Sequence, residues 1–156
     1  MKIAQLSFPR FKKILTSGLA AVATIIAIGT ASLPNAQAQI SAGRYEAQPN
    51  GQIFFYPANG NNPVVTYNGR QRALAIVQCG DALYTAFDGG GIYRSPDGQN
   101  LGGGGNTERV YSGSQLVNRM QCSNRGSVIT TFSGGGVYES PDGRNLGGGG
   151  QTFRLN

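Results

Sequence analysis

Beyond residue 40 the chain is written in short apolar runs that alternate with polar positions and stop at Gly, Pro, Asn or Asp. Runs of this length, bounded by turn-forming residues, read as β-strands. Followed through the sequence, the pattern predicts strands near 43–47, 52–56, 63–67, 72–79, 82–87, 91–95, 107–111, 115–122, 127–132, 136–140 and 152–155. No stretch past residue 40 shows a convincing helical period, and Gly, Pro and Asn recur too often to allow one.

The strands fall into a repeat. The segment YRSPDGQNLGGGG at 93–105 returns as YESPDGRNLGGGG at 138–150, and residues 87–109 match 132–154 at a constant offset of 45. Upstream, Val77-Gln78-Cys79 corresponds to Met120-Gln121-Cys122 at an offset of 43. Residues 67–71 resemble 111–115, and 56–60 are a shortened, glycine-poor echo of 93–98. A degenerate unit at about 43–79 therefore precedes two fuller ones at about 80–122 and 123–156. Each full unit holds four strands, and self-similarity at this period marks a repeat architecture. The expected fold is all-β: an antiparallel meander of four-stranded, propeller-blade-like repeats, because every connection is short. A β-trefoil or an irregular barrel is the alternative, since a trefoil closes within a chain of this length and a propeller typically needs at least four blades.

Turn chemistry explains most of the repeated segment. In Ser-Pro-Asp-Gly the proline presets the backbone of the second position, Asp favours the third and Gly closes the fourth, as in a type I turn. Tyr93 and Tyr138 are expected to cover the glycines across their hairpins, Gly102 to Gly105 and Gly147 to Gly150, because glycine lets a ring lie close to a sheet. Residues 95–101, SPDGQNL, and their twin at 140–146 resemble the S-P-D-G-x-x-L turn of TolB-like β-propeller repeats. The resemblance covers seven residues per copy and implies a blade-like hairpin, while carrying over no functional residue. Glycines stand where that family places an apolar strand. The Asp-box of sialidase-type propellers matches less well, since Asp-Gly is contiguous here and Trp is absent.

The first 38 residues change the picture of charge and compartment. Lys2, Arg10, Lys12 and Lys13 form a basic start, 14–29 are mostly apolar, and Ala36-Gln37-Ala38 is a small-residue cleavage site. This reads as a secretory signal, leaving a single domain at 39–156 that is secreted or periplasmic. Removing it takes away four of the 13 basic residues, so the chain's net charge of +6 is largely a targeting feature. The nine remaining cations are all Arg and are scattered, unlike the clustered stripe with stacking aromatics that nucleic-acid binding requires. No second segment is suited to a membrane. Cys79 and Cys122 each end a strand before a turn, and in an exported chain the expectation is a disulfide between them. Repetition alone would instead leave two buried thiols at the same core position of each unit.

Candidate chemistry is sparse. The chain has no His, which removes the usual general base, the Ser-His and Cys-His nucleophile pairs and the commonest transition-metal ligand. Its carboxylates stand singly, with no reason in the sequence to pair two across a cleft, so an enzyme is not expected. The glycine runs lead into strands rather than helices, which excludes a phosphate-cradling loop. Each copy offers one carboxylate, Asp97 or Asp142, with Asn100 or Asn145 as a neutral oxygen, enough for a weak calcium site at most. No metal or cofactor is expected. Two functions remain. One is a non-catalytic recognition module whose loops present Tyr93, Asp97, Asn100, Tyr138, Asp142 and Asn145 to a glycan or polymer of the cell envelope, where several weak contacts combine. The other is a structural or assembly protein with no small ligand. Fewer than three complete blades leave open ends, so self-association into a homo-oligomer is expected, with the strand at 43–47 completing a blade with 152–155.

Overall fold

The computed structural model describes residues 42–156, and the expected leader at 1–38 lies outside them. Eleven strands run in chain order: β1 Gly43–Ala47, β2 Ile53–Pro57, β3 Val64–Tyr67, β4 Ala73–Cys79, β5 Ala82–Phe87, β6 Ile92–Ser95, β7 Glu108–Tyr111, β8 Val117–Cys122, β9 Val128–Phe132, β10 Val137–Ser140 and β11 Phe153–Arg154. They form three antiparallel sheets, β1-β2-β3, β4-β5-β6-β7 and β8-β9-β10-β11, in which sequence neighbours are spatial neighbours. Among the described residues there is no helix and no closed barrel, so the barrel and trefoil closures are not found. No helix there is long and apolar enough to cross a membrane.

Tight glycine turns make these meanders possible. Phe87 N–H donates to Gly91 O at 2.9 Å while Gly90 N–H returns to Phe87 O at 3.0 Å, and Phe132, Gly136 and Gly135 repeat both bonds at the same distances. In the first sheet Gln48, Gln52 and Gly51 do the same, at 2.8 and 3.0 Å. Gly51, Gly90 and Gly135 have φ of 90°, 81° and 86°, a left-handed conformation that a side chain would strain.

Strand alternation then sorts side chains onto the two faces of each sheet. In β5 every residue is buried, because the second sheet is covered on both sides. One of its faces, with Leu83 and Phe87, joins Ile53 of the first sheet and Leu101 in one core; Tyr45, Tyr67, Ile76 and Tyr93 pack around it. The other face, with Ala82, Tyr84, Ala86 and Ile92, meets Val117, Met120, Val128, Phe132 and Leu146 of the third-sheet segment in a second core. Each fully buried Leu, Ile or Phe contributes roughly 1.5–3 kcal/mol relative to exposure, so these two layers are the main source of cohesion. The expected disulfide is present: Cys79, ending β4, bonds Cys122, ending β8, with Cα atoms 5.1 Å apart. A disulfide fits an oxidising compartment.

Candidate functional site: the joints between sheets

The repeated segment is the piece that joins one sheet to the next. Ser95 and Ser140 are buried at the ends of β6 and β10. The Ser95 hydroxyl lies 2.9 Å from Asp97 Oδ1 and 2.7 Å from Gln99 O, and Asp97 Oδ1 also accepts the Gln99 N–H at 2.9 Å. Ser140, Asp142 and Arg144 reproduce the arrangement at 2.9, 2.5 and 2.9 Å. The Arg144 amide and the Ser140 hydroxyl hold the Asp142 carboxyl below the usual carboxylate range. Asn100 and Asn145 then take φ of 50° and 54°, a left-handed position that Asn tolerates better than most residues. This kink drives the following leucine inward, and Leu101 and Leu146 are 0% and 1% exposed in the two cores.

Docking follows from that kink. Leu101 N–H donates to Thr66 O at 3.4 Å and Leu146 N–H to Val110 O at 3.3 Å, tying each segment to the last strand of the preceding sheet. One residue later, Gly102 lies against the Tyr67 ring and Gly147 against the Tyr111 ring, so closely that a Cβ on either would overlap the ring. Each of these tyrosines reaches on to a phenylalanine of the next sheet: Tyr67 to Phe87 with centroids 4.6 Å apart, Tyr111 to Phe132 at 4.7 Å. Tyr93 and Tyr138 close the triads edge-on, 5.8 Å from Phe87 and Phe132 respectively.

Two grooves open beside the joints. The first, of about 260 Å³, is lined by Tyr45, Phe55, Val64, Val65 and Thr66 of the first sheet and by 97–100 of the joining segment. Its floor is fixed by Tyr45, whose hydroxyl donates to Gly98 O at 3.2 Å and whose ring lies 4.8 Å from that of Phe55. Burial, and then the Asp97 charge, push the Tyr45 phenol up, so it stays a neutral donor. The second groove, of about 330 Å³, lies at the next joint between Arg109, Tyr111 and Ser112 on one side and Asn145, Gly147 and Gly148 on the other. Tyr84 occupies at this joint the role of Tyr45 at the first, its hydroxyl filling the space a Cβ on Gly143 would need. It is hydrogen-bonded to Arg94, whose guanidinium also contacts Asp81 and Glu108 at 3.2 Å each.

The six sequence-predicted ligand residues are therefore divided. Asp97 and Asn100 line the first groove, and Asn145 lines the second. Asp142 is exposed and bound into its own turn. Tyr93 and Tyr138 are half-buried on the phenylalanines. Tyr93 does cover Gly103, but its ring also lies over Gly91, and the register opposes it to Arg109 rather than to the glycine run. Tyr45, Phe55 and the Val64-Val65 pair escaped sequence reasoning, because the first unit is too degenerate to align them with their counterparts. Among the described residues no group of three metal-binding side chains occurs. No protein-family model matches the chain, and no curated protein matches it.

Proposed function

We propose that the chain is an exported, non-catalytic recognition module of blade-like repeats, which binds a hydroxyl-rich glycan or polymer of the cell envelope in the grooves at its sheet joints. The observation that carries this reading is the first groove. It brings the Asp97 carboxylate and the exposed Asn100 amide beside the Tyr45 and Phe55 rings. Aromatic surface with a few fixed polar groups is the usual make-up of a small-ligand site. A sugar offers hydroxyls to the carboxylate and amide and an apolar C–H face to the rings. The second groove replaces the carboxylate with Arg109 and presents Asn145, so the two would hold successive, unlike units of one polymer. The near-identical meanders, with their recurring turn bonds and tyrosine-on-glycine joints, support the blade-like description.

Immobilised glycans and isolated cell-wall polymers, probed with the exported protein, test the reading. Binding that falls at least tenfold in Asp97→Ala/Asn100→Ala, with the polymer left uncleaved, is the expected result. A folded protein that retains no envelope polymer would favour the structural or assembly role.

A further inference from the structure

The outer face of the third sheet is the counterpart of a face that is covered in the other two. Register places Gln121, Ile129, Glu139 and Phe153 in one cross-strand row, and Arg119, Thr131 and Val137 in the next. Leu155, whose N–H donates to Val137 O at 2.8 Å, extends the second row. Phe153 and Leu155 are 59% and 52% exposed. One offset of 45 earlier, Ile129, Thr131, Val137 and Phe153 correspond to Tyr84, Ala86, Ile92 and Glu108 of the second sheet. There Tyr84, Ala86 and Ile92 are buried beneath the third sheet. Nothing among the described residues covers the later face.

Its chemistry has also changed. Ile129 replaces the tyrosine that would reach a turn glycine of a following sheet, and Phe153 replaces Glu108 of the Arg94 network. Asn156 stands where Tyr67 and Tyr111 reach forward. It turns back instead, its amide donating to Gly135 O at 2.7 Å and accepting the Val137 N–H at 2.9 Å. This face lacks the groups that would lock another sheet of the same kind.

The outward face of the first sheet carries an exposed ion pair. Arg44 and Tyr56, Glu46 and Phe54 are cross-strand pairs on the outward face of the first sheet, with Gln48 beyond them. Arg44 and Glu46 pair at 2.9 Å, their side chains 69% and 42% exposed. At the places of Arg44, Glu46 and Gln48 the second sheet has Leu83, Thr85 and Phe87, and the third has Val128, Thr130 and Phe132, all buried. The first-sheet end thus sets an exposed ion pair among Phe54, Tyr56 and Val65, while the third-sheet end exposes Phe153 and Leu155.

We infer that two copies of this chain associate through the outer faces of their third sheets, related by a two-fold axis. Head-to-tail association would set Phe153 and Leu155 against Arg44 and Glu46, leaving a desolvated ion pair on one side. Joining like ends sets Phe153 and Leu155 of the two copies against one another and leaves the Arg44–Glu46 pair in water at both ends of a closed dimer. Arg119 and Glu139, of opposite sign on the same face, give a two-fold-related copy complementary charges. This inference is independent of any ligand.

Light scattering coupled to size-exclusion on the exported protein tests it. A mass of two chains at micromolar concentration is expected, with Phe153→Glu or Leu155→Glu weakening the dimer tenfold or more while circular dichroism stays native. Phe54→Glu, on the outward face of the first sheet, should leave the dimer intact. A monomer at that concentration would overturn the inference. So would oligomers that keep growing with concentration, or a dimer lost in Phe54→Glu and kept in both third-sheet variants.

Discussion

The ring of Tyr111 fills the space that a side chain on Gly147 would need, and Tyr67 stands in the same relation to Gly102. Neither glycine has a left-handed backbone, so the constraint is contact alone. Gly147→Ala is therefore expected to cost about 1–3 kcal/mol through forced displacement of the ring. Gly149 differs: nothing lies within 4 Å of its missing Cβ, but its φ is 90°, so Gly149→Ala should cost about 1–2 kcal/mol of backbone strain instead. Urea denaturation separates the two when each is combined with Tyr111→Ala. Only Gly147→Ala should couple to the ring, by about 0.5–3 kcal/mol.

The strands were legible because alternation and turn residues are local, and all eleven agree with the structure to within about two residues. β11 is shorter than expected, since Thr152 forms only an isolated bridge with Gly149. The disulfide followed from Cys79 and Cys122 ending corresponding strands. What the sequence hid is the identity of partners across a joint. Gly102 was assigned to Tyr93, whereas it belongs to Tyr67 of the preceding sheet. The exchange of Arg94 for Glu139 separates a covered network from an open face. Local pattern specifies strands, while contacts between sheets depend on where the kink at Asn100 or Asn145 aims the chain.

The disulfide bridges a sequence separation of 43 between the second and third sheets. Chain-entropy reasoning for a loop of that length gives roughly 4 kcal/mol, an upper guide because the reduced chain keeps some structure. Cys79→Ser/Cys122→Ser is expected to lose about 2–4 kcal/mol and to melt several degrees lower. Non-reducing mass spectrometry of the exported protein should find no free thiol, and calorimetry with and without reductant should reproduce the variant's loss.

Asp142 makes the molecule sensitive to acid. Its carboxyl is held below the ordinary carboxylate value of 3.8 by the Arg144 amide and the Ser140 hydroxyl. A depressed folded-state value means the charged form is favoured by folding, so the contribution is complete above the unfolded value and is lost as pH falls through the folded one. Asp142→Asn should lower stability at neutral pH, where that contribution is complete, and close the gap to the native protein as pH falls below about 4. Denaturation midpoints measured from neutral pH down into the acid range check this, and parallel curves for both proteins would count against it.

Tyr84 sets the alkaline limit in the opposite sense. It is 3% exposed. Burial pushes its phenol above the usual 10.0, with the Arg94 guanidinium working against the rise. The folded state thus prefers the neutral phenol. Its contribution is fully present below about pH 10 and declines as pH rises through that value toward the higher folded one. Tyr45, raised by burial and then by Asp97, adds in the same direction at the other joint. Tyr84→Phe removes the titrating group but also the hydrogen bond to Arg94, which should cost about 0.5–1.5 kcal/mol at neutral pH. Arg94 keeps Asp81 and Glu108, so the variant still folds. The variant is expected to be the less stable protein at pH 7 and to close the gap above about pH 10, where the native phenol must ionise on unfolding. Urea midpoints at neutral pH and at steps through the alkaline range measure the gap. If it stays constant across the range, Tyr84 does not titrate differently in the folded and unfolded states.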